Sequence, residues 1–321
     1  MFVSCQDKSV GYTGRWSLLN ACMTATAPGS YFDIAFKGKY CTLHFNTEYS
    51  EQPYGHIWIC YNGNKTECAI DNFLRFECEN EGVNFIRIIY KSAVEMHHRW
   101  HIPLVGKLSF IGYDAEGTGE LIPDRRKTIE FIGDSITEGV LVDEYSFYKH
   151  WQHNRVYQDD VTATYAWLLA QRLDLRPYFG GYGAVGLTHG GCGCVPKAIE
   201  MYDYCFDGHE VSYPSPDYIL INHGANDRNS SPEEYLREYS QLLDKLSCRH
   251  PMAKIIVLSA FVGAFADELN KFIICYNKSN NKDVIFIDGS NIVPVEPLHP
   301  LRDGHRLIAD TVYKRLKDII K

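Results

Sequence analysis

Apolar positions in residues 1 to about 113 recur at every second residue rather than every third or fourth. In Tyr31–Lys37 the residues Phe32, Ile34 and Phe36 alternate with others, the period of a strand that buries one face. Tyr40–Asn46, His56–Tyr61, Phe73–Cys78, Asn84–Tyr90 and Lys107–Tyr113 follow at short intervals, with Asn62-Gly63 as a hairpin-type turn. No helical stripe interrupts them. Short strands punctuated by turns predict a β-sandwich, jelly-roll-like, over residues 1–113.

Residues 114–127 are polar, carry two glycines and a proline, and read as a linker. Beyond them the rhythm changes. Thr128–Ile132, Pro177–Tyr182, Asp217–Asn222, Lys254–Ala260 and Asp283–Asp288 are short apolar runs. Helical stretches lie between and after them: Val161–Leu173, Lys197–Tyr204, Pro232–His250, Ala264–Asn277 and Asp303–Ile320. Strict alternation of strand and helix predicts a parallel sheet covered on both faces. The expected fold is therefore α/β, with five parallel strands in a second domain over residues 128–321.

Composition narrows the partners. Hydrophobic residues make up 45% of the 321 residues and charged residues 22%, an ordinary globular balance. The formal net charge of −8 argues against nucleic acid or an anionic membrane, both of which reward clustered Lys and Arg. The 11 cysteines are scattered and odd in number, which favours reduced thiols and a cytoplasmic location. No basic start followed by an apolar stretch opens the chain, although a removed leader would make the protein a secreted one. No run approaches the roughly 18 apolar residues of a spanning helix.

Catalytic groups of an open parallel sheet gather beyond the carboxyl ends of its strands, and three segments there carry suitable residues. In Ile129–Gly139 an apolar strand runs into Gly133-Asp134-Ser135, which presents a serine at a strand-to-helix turn beside helix N–H groups. A helix cap alone would explain Asp134-Ser135 equally. The sequence is not Gly-x-Ser-x-Gly, so an α/β-hydrolase elbow is not supported. In Ile219–Asp227, Asn226 is placed to offer a side-chain amide to a developing oxyanion. In Glu296–His305, His299 has the pKa of a general base, and Glu296 three residues upstream is a candidate to orient it. His305 competes with His299 but falls inside the predicted last helix.

Taken together and in this order, the three segments resemble the SGNH hydrolase family. That resemblance implies Ser135 as nucleophile, His299 as base, and an oxyanion hole made by the Ser135 N–H, Gly186 and Asn226. Gly186 comes from Gly183-Ala-Val-Gly186-Leu-Thr188, where Gly183, Gly190 and Gly191 are rivals. Asp134 and Asp227 match positions that hold loops in place. The family normally has aspartate where this chain has Glu296, so either Glu296 completes a triad or a backbone carbonyl supports the imidazole. With the sandwich in front, the whole chain is similar to carbohydrate esterase family 2, with Gly14-Arg15-Trp16 and Phe36-Lys37-Gly38 as weaker points of likeness. The resemblance implies removal of acetyl groups from an acetylated carbohydrate, without a cofactor.

Other features draw less chemistry. Tyr145, Phe147, Tyr148, Trp151 and Tyr157 crowd the segment after the nucleophile, and Trp151 is a candidate sugar platform. Cys192 and Cys194 flank a glycine near His189, but no second pair is close enough to complete a metal site, so none is expected. His97-His98-Arg99-Trp100-His101 reads as surface or domain-interface packing. Two rival functions stand beside the esterase: a lipid or thioester hydrolase, and a carbohydrate-binding protein with a dead site.

Overall fold

The structure is a computed structural model that describes residues 1–79, 81–143 and 155–320. Two antiparallel sheets form the front part. One runs Ser17–Leu19, Cys22–Ala25, Leu108–Asp114, Tyr40–Phe45, Phe73–Glu77, with Phe2–Ser4 also on Leu108–Asp114. The other runs Gly117–Thr118, Tyr31–Lys37, Val83–Ser92, His56–Tyr61, Asn64–Ala69, with Val10–Thr13 on Tyr31–Lys37. Phe32, Phe36, Ile88, Leu43, Phe110 and Tyr113 fill the space between the sheets. Phe32 of one stacks on Phe110 of the other with ring centroids 4.3 Å apart.

The strands of three or four residues at Val10–Thr13, Ser17–Leu19 and Cys22–Ala25 escape sequence reading, because so few residues display no period. The pairing of Gly117–Thr118 with Tyr31–Lys37 also draws part of the polar 114–127 stretch into a front sheet.

The second part is built on five parallel strands in the order Arg176–Gly181, Thr128–Gly133, Tyr218–Asn222, Lys254–Leu258, Ile285–Ile287. One face, with Phe131, Leu220 and Ile256, packs on helices α2 (Tyr165–Arg172) and α6 (Arg302–Leu316) through Leu169, Ile308 and Val312. The other, with Ile132, Ile219 and Val257, meets α4 (Pro232–Arg249) and α5 (Ala266–Asn280) through Leu242, Leu246 and Leu269. α1 (Ser135–Glu138) precedes these in the chain, and α3 (Ala198–Met201) lies between α2 and α4. The helix expected over Lys197–Tyr204 is cut short because Tyr204–Phe206 leaves it to pair with His209–Glu210. In register, Gly133 lies opposite Gly181 on one side and Asn222 on the other, so these three strands end at one rim.

The two parts share buried surface. Strand Arg176–Gly181 is an edge of the parallel sheet, and the front part covers it. Tyr31 and Ile89 join the core around Phe179 and Trp167, and a Cβ on Gly29 would come within 2.4 Å of the Phe179 ring. That second contact explains why Tyr31 is buried although it faces away from the sandwich core. Arg15 reaches Glu130 on the central strand at 3.0 Å, with both side chains fully buried, and also donates to the carbonyls of Tyr202 and Tyr204. Tyr202 donates to the other Glu130 oxygen at 2.9 Å. Arg99 forms a second buried pair with Glu138. These contacts answer the interface reading of the 97–101 run: Arg99 and Trp100 are buried there.

Candidate active site

The turn at Gly133 is tight because a Cβ there would lie 2.2 Å from Thr137 Oγ1. Only glycine lets the strand enter α1 so abruptly. Asp134 caps that one-turn helix, its Oδ1 accepting the Ile136 N–H at 2.9 Å. Ser135 is therefore the first helical residue, with its N–H directed out of the helix end. No hydrogen bond engages that N–H among the described residues. His299, in the loop ahead of α6, brings Nε2 to 2.9 Å from Ser135 Oγ. This is the reach over which an imidazole takes a hydroxyl proton.

Asn226 follows strand Tyr218–Asn222 and closes on the same turn. Its Nδ2 donates to Asp134 Oδ2 at 3.3 Å and to the Val185 carbonyl at 3.2 Å. Asp227 is fully buried and gathers the Thr188 N–H at 2.9 Å, the Thr188 hydroxyl at 2.8 Å and the Leu187 N–H at 3.2 Å. A Cβ on Gly186 would lie 2.6 Å from Asp227 Oδ1, which accounts for glycine at that position. The Gly186 N–H points to the carbonyl of His189 at 3.0 Å. Of its rivals, Gly191 donates its N–H to the Val195 carbonyl at 2.8 Å. In this structure, then, two of the three expected oxyanion donors are engaged and the Ser135 N–H is not.

Electrostatics follow burial. Burial pushes the Asp134 carboxyl up to about 7, against the Ile136 N–H bond that favours its charge. It pushes His223 down to about 4. His305, the rival base, is pushed down to about 3 by burial, with His299 and Arg302 adding to the effect. Its Nδ1 accepts the Tyr165 N–H at 3.0 Å, so the ring is a neutral acceptor that holds the start of α2. His305 is structural, and His299 alone of the two faces Ser135.

Glu296 stands apart from the expected triad. It is solvent-exposed, and no hydrogen bond joins it to His299 among the described residues. A carboxylate in open water is screened and orients a ring weakly. The loop that carries His299 is fixed instead by Arg302, whose N–H meets the Val142 carbonyl at 3.0 Å. Its guanidinium pairs with Asp143 (2.6 Å) and Asp160 (3.2 Å). Those partners lie downstream of α1, so the pairing ties the segment carrying His299 to the segment that follows Ser135. Nothing in the local sequence announces this pairing, which depends on two segments meeting. Trp151, Tyr145, Phe147 and Tyr148 lie outside the described residues. Tyr157 packs its ring edge-on against His56 at 4.3 Å. Among the described residues no group of three or more His, Cys, Asp or Glu is arranged to hold a metal ion. None of their helices is long and apolar enough to cross a membrane.

The site places a hydroxyl, an imidazole and an N–H around one point, the minimum for acyl transfer through a serine. The profile of the GDSL-like Lipase/Acylhydrolase family matches residues 131–307, more than half of the chain. The chain belongs to that family. As a GDSL-like acylhydrolase it falls among the carboxylic ester hydrolases. No curated protein matches the sequence. Its two-part fold is shared with solved structures. One is a family two carbohydrate esterase from Cellvibrio japonicus, with TM-score 0.82, 20% identity, and coverage of 100% of this chain and 98% of that one. Another is a family two carbohydrate esterase from Clostridium thermocellum in complex with cellohexaose, with TM-score 0.75, 19% identity, and coverage of 96% and 98%. A third is an acetyl xylan esterase from the rumen bacterium Butyrivibrio proteoclasticus, with TM-score 0.77, 15% identity, and coverage of 99% and 98%.

Proposed function

We propose that this GDSL-like hydrolase removes O-acetyl groups from acetylated oligosaccharides, with Ser135 as nucleophile and His299 as base. The contact of 2.9 Å between Ser135 Oγ and His299 Nε2 carries the reading. The fold-level likeness to carbohydrate esterases supports the substrate class. His299 takes the proton as Oγ bonds to the acetyl carbon, and negative charge moves to the carbonyl oxygen. The Ser135 N–H meets that oxygen first. Asn226 Nδ2 and the Gly186 N–H join by exchanging their present partners, and the long Asn226 bonds make its exchange easy. Collapse breaks the bond to the sugar oxygen, which leaves with the proton from His299. Water then attacks the acetyl-enzyme by the same route and releases acetate.

The Ser–His pair works without a carboxylate from Glu296. Acetate release from acetylated xylo-, manno- and gluco-oligosaccharides tests the substrate class. A preference for octanoyl over acetyl esters would move the function to lipids. Absence of a fluorophosphonate adduct on Ser135 would reduce the protein to a binder.

A further inference from the structure

In the sequence His189 stands out only as a neighbour of Cys192 and Cys194, and the acyl-transfer scheme leaves it unused. Its imidazole nevertheless sits between two carbonyl oxygens. Nδ1 is 2.8 Å from the Gly190 carbonyl and Nε2 is 3.1 Å from the Asn226 carbonyl. Both partners only accept, so each contact needs a proton on the ring. The backbone of the same residue takes the Gly186 N–H at 3.0 Å. A Cβ on Gly186 would lie 3.2 Å from His189 Nε2, so the ring lies directly against that glycine. The ring therefore touches both candidate oxyanion blocks at once, Gly186 by packing and Asn226 by a hydrogen bond, and both contacts persist when the Gly186 N–H turns from the His189 carbonyl to the oxyanion. The Gly190 carbonyl raises its pKa above the usual histidine value; partial burial opposes this, and Asn226 and Asp227 reinforce it.

Asp227 already ties the two turns together on their buried side, through Leu187 and Thr188. That clasp is carboxylate-to-amide and closes at the base of the turns. His189 is the second clasp, on the exposed side, and it acts on the residue whose amide faces the nucleophile turn.

We propose that His189 is a positioning residue for acyl transfer, its Nε2–H fastening the Asn226 carbonyl so that the Gly186 and Asn226 donors keep their spacing. This rests on the hydrolase reading above. The spacing matters because donors misplaced by about 1 Å forfeit much of their stabilisation of the transition state, with losses on the order of a hundredfold.

Three variants separate this role from turn packing. A glutamine amide reaches about as far as Nε2, whereas an asparagine amide reaches only as far as Nδ1 and the Gly190 carbonyl. On an acetyl ester, His189→Ala and His189→Asn should lower kcat about tenfold or more with KM unchanged, while His189→Gln stays within about threefold of wild type. Equal losses for Asn and Gln, or a raised KM with unchanged kcat, would overturn the inference. So would wild-type kcat in all three. Should His189→Ala fail to fold, the comparison of Gln with Asn decides alone. Ser135→Ala runs in the same assay: acetate release by that variant sinks the hydrolase reading itself. A dead Ser135→Ala beside fully active His189 variants sinks only the clasp.

Discussion

At the scale of single residues, the site depends on which groups touch and which only lie close in sequence. Ser135→Ala should abolish acetate release to background, and Asn226→Ala should cost about 3 kcal/mol of transition-state stabilisation, roughly a hundredfold in kcat. Glu296→Gln should keep activity within about threefold, because the carboxylate is exposed and not bonded to His299; a loss of a hundredfold or more would restore it to the triad. Stability should carry the marks of two buried imidazoles. His305 and His223 are held at about 3 and about 4 in the folded chain and return to ordinary histidine values near 6.5 when it unfolds. The unfolded chain therefore binds more protons in that window. Their stabilisation is complete above pH about 6.5 and is lost as pH falls toward 3 to 4, at up to about 1.4 kcal/mol per pH unit for each group. Urea unfolding at stepped pH reads this slope, and His305→Gln should flatten it. At Asp134 the sign is opposite: a carboxyl raised to about 7 disfavours the folded state progressively from about pH 4 upward.

At the scale of elements, the catalytic rim is held by ties between segments rather than by any helix or strand alone. Arg302 joins the His299 loop to the segment after α1, Asp227 joins the Gly186 turn to the Asn226 turn, and Arg99 pairs with Glu138 at the end of α1. The Arg15–Glu130 pair joins the front part to the central strand. Removing one member leaves a buried, uncompensated charge. Arg15→Met should therefore destabilise the protein by about 3–5 kcal/mol, and Arg15→Met combined with Glu130→Met should cost clearly less than that single change. Denaturant midpoints of the three variants give the comparison. A double variant as unstable as the single one would mean that packing around Arg15, not its charge, dominates.

At the scale of the whole molecule, the front sandwich packs into the cores of the parallel-sheet part. It covers the edge strand Arg176–Gly181, an edge that would otherwise offer unpaired N–H and C=O groups to other chains. It supplies Tyr31 and Ile89 to the core on one face of the parallel sheet, and Ala27 and Trp100 to the core on the other. Residues 128–321 produced alone should aggregate or lose cooperative unfolding, whereas the full chain should melt in a single calorimetric transition. A stable, fully active fragment would show that the contacts are dispensable.

What the chain determines locally was legible before any coordinates. Period-two strands, alternation of apolar runs with helical stripes, and a serine, an asparagine and a histidine at strand ends are short-range patterns, and each follows from the backbone's own geometry. The structure shows the antiparallel front and the parallel second part that those patterns predict. Other features needed the folded chain. Whether His299 or His305 faces Ser135 depends on which turns toward the rim and which is buried on α6 against the start of α2. Whether Glu296 touches the imidazole depends on the path of one loop. The roles of Arg302, Arg99 and His189 exist only where distant segments meet. Contact between residues far apart in the chain is settled by packing and burial, and no local period encodes it.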